Sequence, residues 1–176
     1  MAWKRSGDEM KEGGTFFVIA LFLLILFYGY IESQGGMKTA TNLAIAGPAG
    51  PTNLHALARQ DAIDNHIDPD LFERQINQES GFNPNAQSVM GAQGIAQFMP
   101  TTSQGLGIDA WDPIASLQGA ARLMASYNRK YGDYSKALSA YNYGSSGTDS
   151  AISRCGWNWK GCVPDETRRY IATIVG

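Results

Sequence analysis

Histidine and cysteine are scarce in this 176-residue chain, with two of each. The histidines, His55 and His66, form no HExxH pattern and no cluster with cysteine, so no metal site is expected. No lysine follows the glycines near residue 91, which removes a phosphate-binding loop. Basic residues are not in excess either: fourteen Lys/Arg stand against sixteen Asp/Glu, a formal net charge of −2. Arg168-Arg169 is a pair and not a patch, and a nucleic-acid partner is not expected. No stretch alternates apolar and polar residues over six positions, which excludes much sheet. What is present is 44% hydrophobic and 17% charged, the composition of a folded protein.

One long apolar run exists. Residues 13–31 carry no charge, and their core is FFVIALFLLILFYGYI. A signal peptide's apolar region runs ~7–15 residues and a spanning helix needs ~20. No small-x-small cleavage site follows closely, since Ala44-Ile45-Ala46 lies too far downstream. The run therefore reads as an uncleaved transmembrane anchor, with Tyr28 and Tyr30 at the far interface. Lys4, Arg5 and Lys11 precede it and only Lys38 follows closely, which places residues 1–12 in the cytoplasm and the rest outside. Residues 32–52, with GG and GPAGP, read as a flexible tether. The folded domain is expected over 53–176.

That domain reads as all-α. Segments are expected from Leu54 to about Asn65, over 68–78, over 100–106 with Gly107 as the stop, from Asp112-Pro113 to about Lys130, over 134–143, and over 164–175. In the second of these, Asp68 can cap the helix and Pro69 fits its first position. Phe72, Ile76 and Glu79 follow at i, i+4 and i+7 and share one face. That face is apolar except for Glu79, at its C-terminal end. Burial and the negative end of the helix dipole both disfavour the charged carboxylate, so both raise its pKa. A carboxyl in that condition suits general-acid work near neutral pH. Asn83-Pro84 is expected to end the helix. Gly91 and Gly94 bracket a turn or short helix ending at Gln97, where glycine lets a bulky ligand approach the backbone. Gln97 can donate to and accept from sugar hydroxyls.

The stretch ESGFNPNAQSVMGAQGIAQFMPTT, residues 79–102, resembles the lytic transglycosylases, whose catalytic domain has the goose-type lysozyme fold. The matching pieces are Glu79-Ser80, Ser88, and GAQGIAQFMPTT. The resemblance implies a lysozyme-like helical domain with Glu79 as the single catalytic acid/base, and Ser88, Gly91 and Gln97 in the substrate cleft. Two later segments extend it. Ala140-Tyr141-Asn142-Tyr143-Gly144 is similar to the family's AYNAG, with Tyr143 in place of Ala. Glu166-Thr167-Arg168-Arg169-Tyr170 is similar to its final motif, in which an acid and a tyrosine line the site. By these matches Tyr141 bonds Glu79 or the sugar, and Asn142, Glu166 and Tyr170 contact substrate. Read alone, Tyr141 is a core-packing residue and Glu166 a first-turn helix acid.

Cys155 and Cys162 have six residues between them, which is not a CxxC redox spacing. Outside the cytoplasm a disulfide between them is expected. Trp157 and Trp159 fall inside that loop, either stacked on sugar at the cleft edge or with one packed inward.

Two-carboxylate glycosidases hold a second carboxylate ~5–10 Å from the acid. No Asp lies between Glu79 and Gly107, and Asp109, Asp112 and Glu166 have no pattern behind them as that partner. A one-acid scheme fits better. In the family, the C6 hydroxyl of N-acetylmuramic acid attacks its own glycosidic carbon, leaving a 1,6-anhydro end without water or cofactor. The implied substrate is the glycan strand of peptidoglycan. Two other readings stand beside this one: a hydrolytic lysozyme of the same fold, and a tethered wall-binding module without activity. A carboxyl group on an apolar stripe argues against the module. Phage entry, a secretion or conjugation apparatus, and wall turnover could each use such a tethered wall-opener.

Overall fold

The computed structural model describes residues 53–176. The anchor expected over 13–31 and the tether over 32–52 lie outside the described residues. Among the described residues, no helix is long and apolar enough to cross a membrane.

Seven α-helices and one 3-10 segment account for the described chain. In order they are α1 (Leu54–Asp64), α2 (Pro69–Ser80), α3 (Pro100–Leu106), α4 (Pro113–Tyr131), α5 (Tyr134–Tyr143), α6 (Ser145–Cys155), the 3-10 segment Gly156–Cys162, and α7 (Asp165–Val175). Among the described residues, extended pairing is limited to two isolated bridges, Gln87 with Gln93 and Gln93 with Phe98. The all-α expectation is met.

Local chemistry fixes the helix ends. The Asn53 side chain accepts from the Ala56 amide, Asp68 from Asp70 and Leu71, Asp112 from Ile114 and Ala115, and Asp133 from Lys136. Each such cap supplies a partner for amides that the helix leaves unpaired, worth about 1 kcal/mol. Helix α2 runs to Ser80, two residues beyond the expected end. Its stop is Gly81, which takes the left-handed conformation at φ 61° and returns its N–H to the Asn77 carbonyl. Asn83-Pro84 lies after that stop and forms a turn.

Among the described residues, helix α4 is the longest helix and holds seven buried residues. Leu117, Ala120, Ala121 and Met124 are inaccessible to solvent, and α4 packs against α1 and α5. Its run of alanines, with Gly119 beside the Phe98 ring, lets neighbouring segments approach closely. Phe72, Ile76, Ile95, Phe98, Leu138 and Ile174 complete the same core. Each such side chain contributes roughly 1.5–3 kcal/mol of transfer free energy.

Helix α6 falls where the sequence reading assigns no element. Its SSGTDS start is poor in helix formers. Tertiary burial overrides that weakness: Thr148 and Ala151 are fully buried one turn apart, and the Thr148 and Ser139 hydroxyls pair at 2.9 Å, tying α6 to α5. Cys155 and Cys162 form the expected disulfide, with Cα atoms 6.4 Å apart, at the end of α6. Trp159 within that loop is buried, whereas Trp157 is exposed.

Candidate active site

The C-terminal end of α2, the 86–99 loop, the end of α5 and one face of α7 enclose a groove of about 730 Å³. Of the residues singled out from the sequence, Glu79, Ser88, Gln97, Tyr141, Asn142, Glu166 and Tyr170 all line it. Gly91 is not among its lining residues. It occupies a turn at φ 88°, its N–H donating to the Ser88 carbonyl at 3.0 Å, and a side chain there would meet open space. The glycine that close approach demands is Gly94, at φ 72°, where a Cβ would overlap the Ala110 carbonyl. Neither tryptophan of the disulfide loop lines the groove. Tyr143 does not line it either; its ring lies over Gly147 in α6, so the departure from AYNAG leaves the groove untouched.

Glu79 is half-buried in the last turn of α2, with Phe72 and Ile76 of the same face beneath it in the core. Burial pushes its carboxyl up to about 7, against an ordinary value of 4.5. One hydrogen bond opposes that rise: the Tyr170 hydroxyl of α7 donates to Glu79 Oε1 at 2.5 Å. An ordinary glutamate would be protonated in roughly one molecule of 300 at pH 7, and a carboxyl titrating near 7 in about half.

The tyrosine against the acid is thus Tyr170. Tyr141, expected to bond Glu79 or sugar, donates its hydroxyl to the Ala96 carbonyl at 2.8 Å, and its ring tilts against Phe98 at 6.0 Å. The packing and site readings of Tyr141 meet in this position: the ring sits against the core, and the hydroxyl supports the loop beside the groove.

The 86–99 loop is held by its own polar side chains. Ser80, next to the acid, donates to the Ile95 carbonyl at 2.7 Å. The Ser88 hydroxyl accepts from the Ala92 amide at 3.0 Å. Gln97, at φ 49°, turns its amide nitrogen inward to the Gly94 and Ala86 carbonyls at 2.8 and 3.2 Å. Its donor group therefore braces the loop, and its carbonyl oxygen is what remains for a ligand. On the opposite wall the Thr167 hydroxyl donates to the Asn142 carbonyl oxygen at 2.7 Å, which orients the Asn142 amide.

Of the other acids, Asp109 accepts from the Trp111 amide and Asp112 caps α4; neither lines the groove. Glu166 does line it. Sequence reasoning passed over Gln78, Val89, Met90, Ala92, Met99, Arg169 and Thr173, which complete the lining. Helical spacing from Tyr170 could have found Arg169 and Thr173, since 166, 169, 170 and 173 fall on one face of α7.

Such a groove, with one acid of raised pKa fixed by a tyrosine, can deliver a proton to a bound glycosidic oxygen. The family pattern described as Transglycosylase SLT domain matches residues 56–160 of this chain. The chain belongs to that family. A transglycosylase of Enterobacteria phage PRD1 is 39% identical over 80 residues, covering 45% of this chain and 30% of that protein. Membrane-bound lytic murein transglycosylase D of Escherichia coli K12 is 32% identical over 111 residues, covering 55% of this chain and 25% of its own length. The chain thus spans a third or less of these relatives. Among solved structures, an inactive mutant of lytic transglycosylase Slt from Pseudomonas aeruginosa superposes with a TM-score of 0.60 over 70% of this chain and 23% of that one, at 23% identity. At that identity the likeness shows the fold, and the SLT domain here has it.

Proposed function

We propose that the chain is a peptidoglycan lytic transglycosylase, acting on the β-1,4 bond between N-acetylmuramic acid and N-acetylglucosamine. The observation that carries this reading is the Glu79 carboxyl, raised to about 7 by burial at the groove wall. In its protonated form Glu79 donates to the glycosidic oxygen as the bond breaks. The positive charge that develops on the sugar is met by the carboxylate left behind. That carboxylate then takes the proton of the muramic acid C6 hydroxyl, which closes on C1 and gives the 1,6-anhydro end. The proton returns to Glu79, so the cycle needs no second acid and no water. Tyr170 keeps the carboxyl in place through both halves and moderates its pKa. Family membership and the phage and bacterial relatives support the same reading.

Ser88, Gln97, Tyr141, Asn142, Glu166 and Tyr170 belong to the substrate-contacting wall in this proposal, and Gly91 to the turn that presents Ser88. Residues 13–31 anchor the chain in the cytoplasmic membrane and 32–52 tether the domain on the wall side, where a phage, secretion or conjugation assembly would use local wall opening.

Glu79→Gln tests the assignment. It keeps the shape and removes the titrating proton. The variant is expected to fold and to lose wall cleavage almost completely, read as turbidity loss of purified cell walls. Retention of more than about a tenth of the activity, roughly 1.4 kcal/mol of barrier, contradicts the assignment.

A further inference from the structure

Two adjacent arginines on α7 have different fates. The Arg168 guanidinium donates to the Val163 carbonyl at 3.0 Å and pairs with the Asp165 carboxylate, so it is consumed in holding the start of the helix. Arg169, about 100° further round the helix, lines the groove, on the same face as Glu166, Tyr170 and Thr173. Among the described residues its side chain makes no ion pair and no hydrogen bond, although Glu166 lies one turn before it. Among the described residues it is the one cation in the groove lining. It is also the sequence neighbour of the tyrosine that holds Glu79.

The proposed substrate poses a problem of register that such a cation can solve. The two sugars of the strand alternate and share their ring, acetamido group and linkage. What differs is the lactyl ether of muramic acid. In a bare strand it ends in a carboxylate; in a wall strand it is amidated by a peptide that carries carboxylates of its own. Cleavage at the muramic acid C1 requires that sugar, and not its neighbour, beside the acid. Shape alone separates the two weakly, whereas a guanidinium forks onto a carboxylate with two parallel hydrogen bonds.

Resting on the transglycosylase reading, we propose that Arg169 is a specificity-determining residue. It binds a carboxylate borne by the muramic acid unit, on the lactyl group or on the attached peptide, and so sets which sugar lies at Glu79. The acetamido sugar without that substituent gains nothing from it.

The test measures binding by calorimetry with the full chain carrying Glu79→Gln, so that ligands stay intact. Three ligands serve: a neutral N-acetylglucosamine oligomer, peptide-free glycan with its lactyl carboxylates, and peptide-bearing glycan. Adding Arg169→Gln is expected to weaken binding of carboxylate-bearing ligands about tenfold and of the neutral oligomer less than twofold. Arg169→Lys should recover part of the loss, since charge returns without the fork. Loss with the peptide-free glycan alone identifies the lactyl carboxylate, loss with the peptide-bearing ligand alone identifies the peptide, and loss with both shows that Arg169 takes a carboxylate in either place. In the catalytically intact chain the same substitution should raise KM and lower kcat little. Equal weakening of all three ligands, or of none, overturns the proposal. Failure of the parent chain to bind any of the three refutes the glycan-cleavage reading, and the proposal with it.

Discussion

Tyr170→Phe should move the alkaline limb of the pH–rate profile upward. In the folded domain the Tyr170 hydroxyl donates to Glu79 Oε1 at 2.5 Å, which favours the ionised carboxylate and opposes burial, and the two together leave the carboxyl at about 7. A hydrogen bond to a charged group is worth about 1.5–3 kcal/mol, and each 1.36 kcal/mol is one pKa unit. Removing the hydroxyl should therefore raise the Glu79 pKa by about 1–2 units, less whatever water restores. The sign follows from the role of the group. Glu79 acts first as an acid, so kcat/KM is level while the free enzyme is protonated and falls tenfold per pH unit above the pKa. The fall should begin near pH 7 in the parent and near pH 8–9 in Tyr170→Phe. The plateau itself should be lower, because the carboxyl loses its positioning partner. Initial rates on purified walls between pH 5 and 10, at constant ionic strength, read the limb directly. Tyr141→Phe is the control: its hydroxyl bonds the Ala96 carbonyl, so the limb should stay within about half a unit of the parent's. A Tyr170→Phe limb that stays in place or moves down would refute the claim that this bond stabilises the Glu79 anion, or that the limb is Glu79 at all.

Two further outcomes concern stability. Gly94→Ala should destabilise by about 2 kcal/mol or more, since a left-handed backbone and overlap with the Ala110 carbonyl add, while Gly91→Ala, in open space, should lose only about 1 kcal/mol; thermal melts compare the two. Reducing the Cys155–Cys162 disulfide should remove about 2.5 kcal/mol, by the loop entropy of so short a closure, and leave wall cleavage intact at 25 °C because the groove does not contain the loop; melts and turbidity assays with and without reductant read both.

Helices α1 to α5 and α7 were legible because their signals are local. Asp68 and Asp112 cap, Pro69, Pro100 and Pro113 open, and Gly107 closes, each within a few residues of the effect. The apolar stripe of Phe72 and Ile76 likewise announced which way Glu79 would face. Helix α6 was not legible, because Ser145–Cys155 is helical through the burial of Thr148 and Ala151, with Thr148 paired to Ser139 of α5, and not through its own propensity. The same division runs through the site. Which residues gather around Glu79 could be read from motifs, but not which tyrosine bonds it: Tyr170 and Glu79 are 91 residues apart and only the packing of α7 on α2 brings them together. Gln97 was read as a sugar ligand from its chemistry. Its left-handed backbone, which turns the amide nitrogen inward, has no signal in the sequence.

The chemistry itself is tested most directly by the ends of the products. One acid recycled as base leaves the muramic acid C6 hydroxyl as the nearest nucleophile, and a well-oriented intramolecular attack has an effective molarity that can reach ~10⁵ M or more. A hydrolase would instead need a held water and a base for it. Purified peptidoglycan digested by the chain and resolved by mass spectrometry should yield muropeptides ending in 1,6-anhydro-N-acetylmuramic acid, lacking one water and inert to borohydride. Predominantly reducing ends, converted by borohydride to the alcohol, would contradict the transglycosylase account and leave a lysozyme acting through the same Glu79.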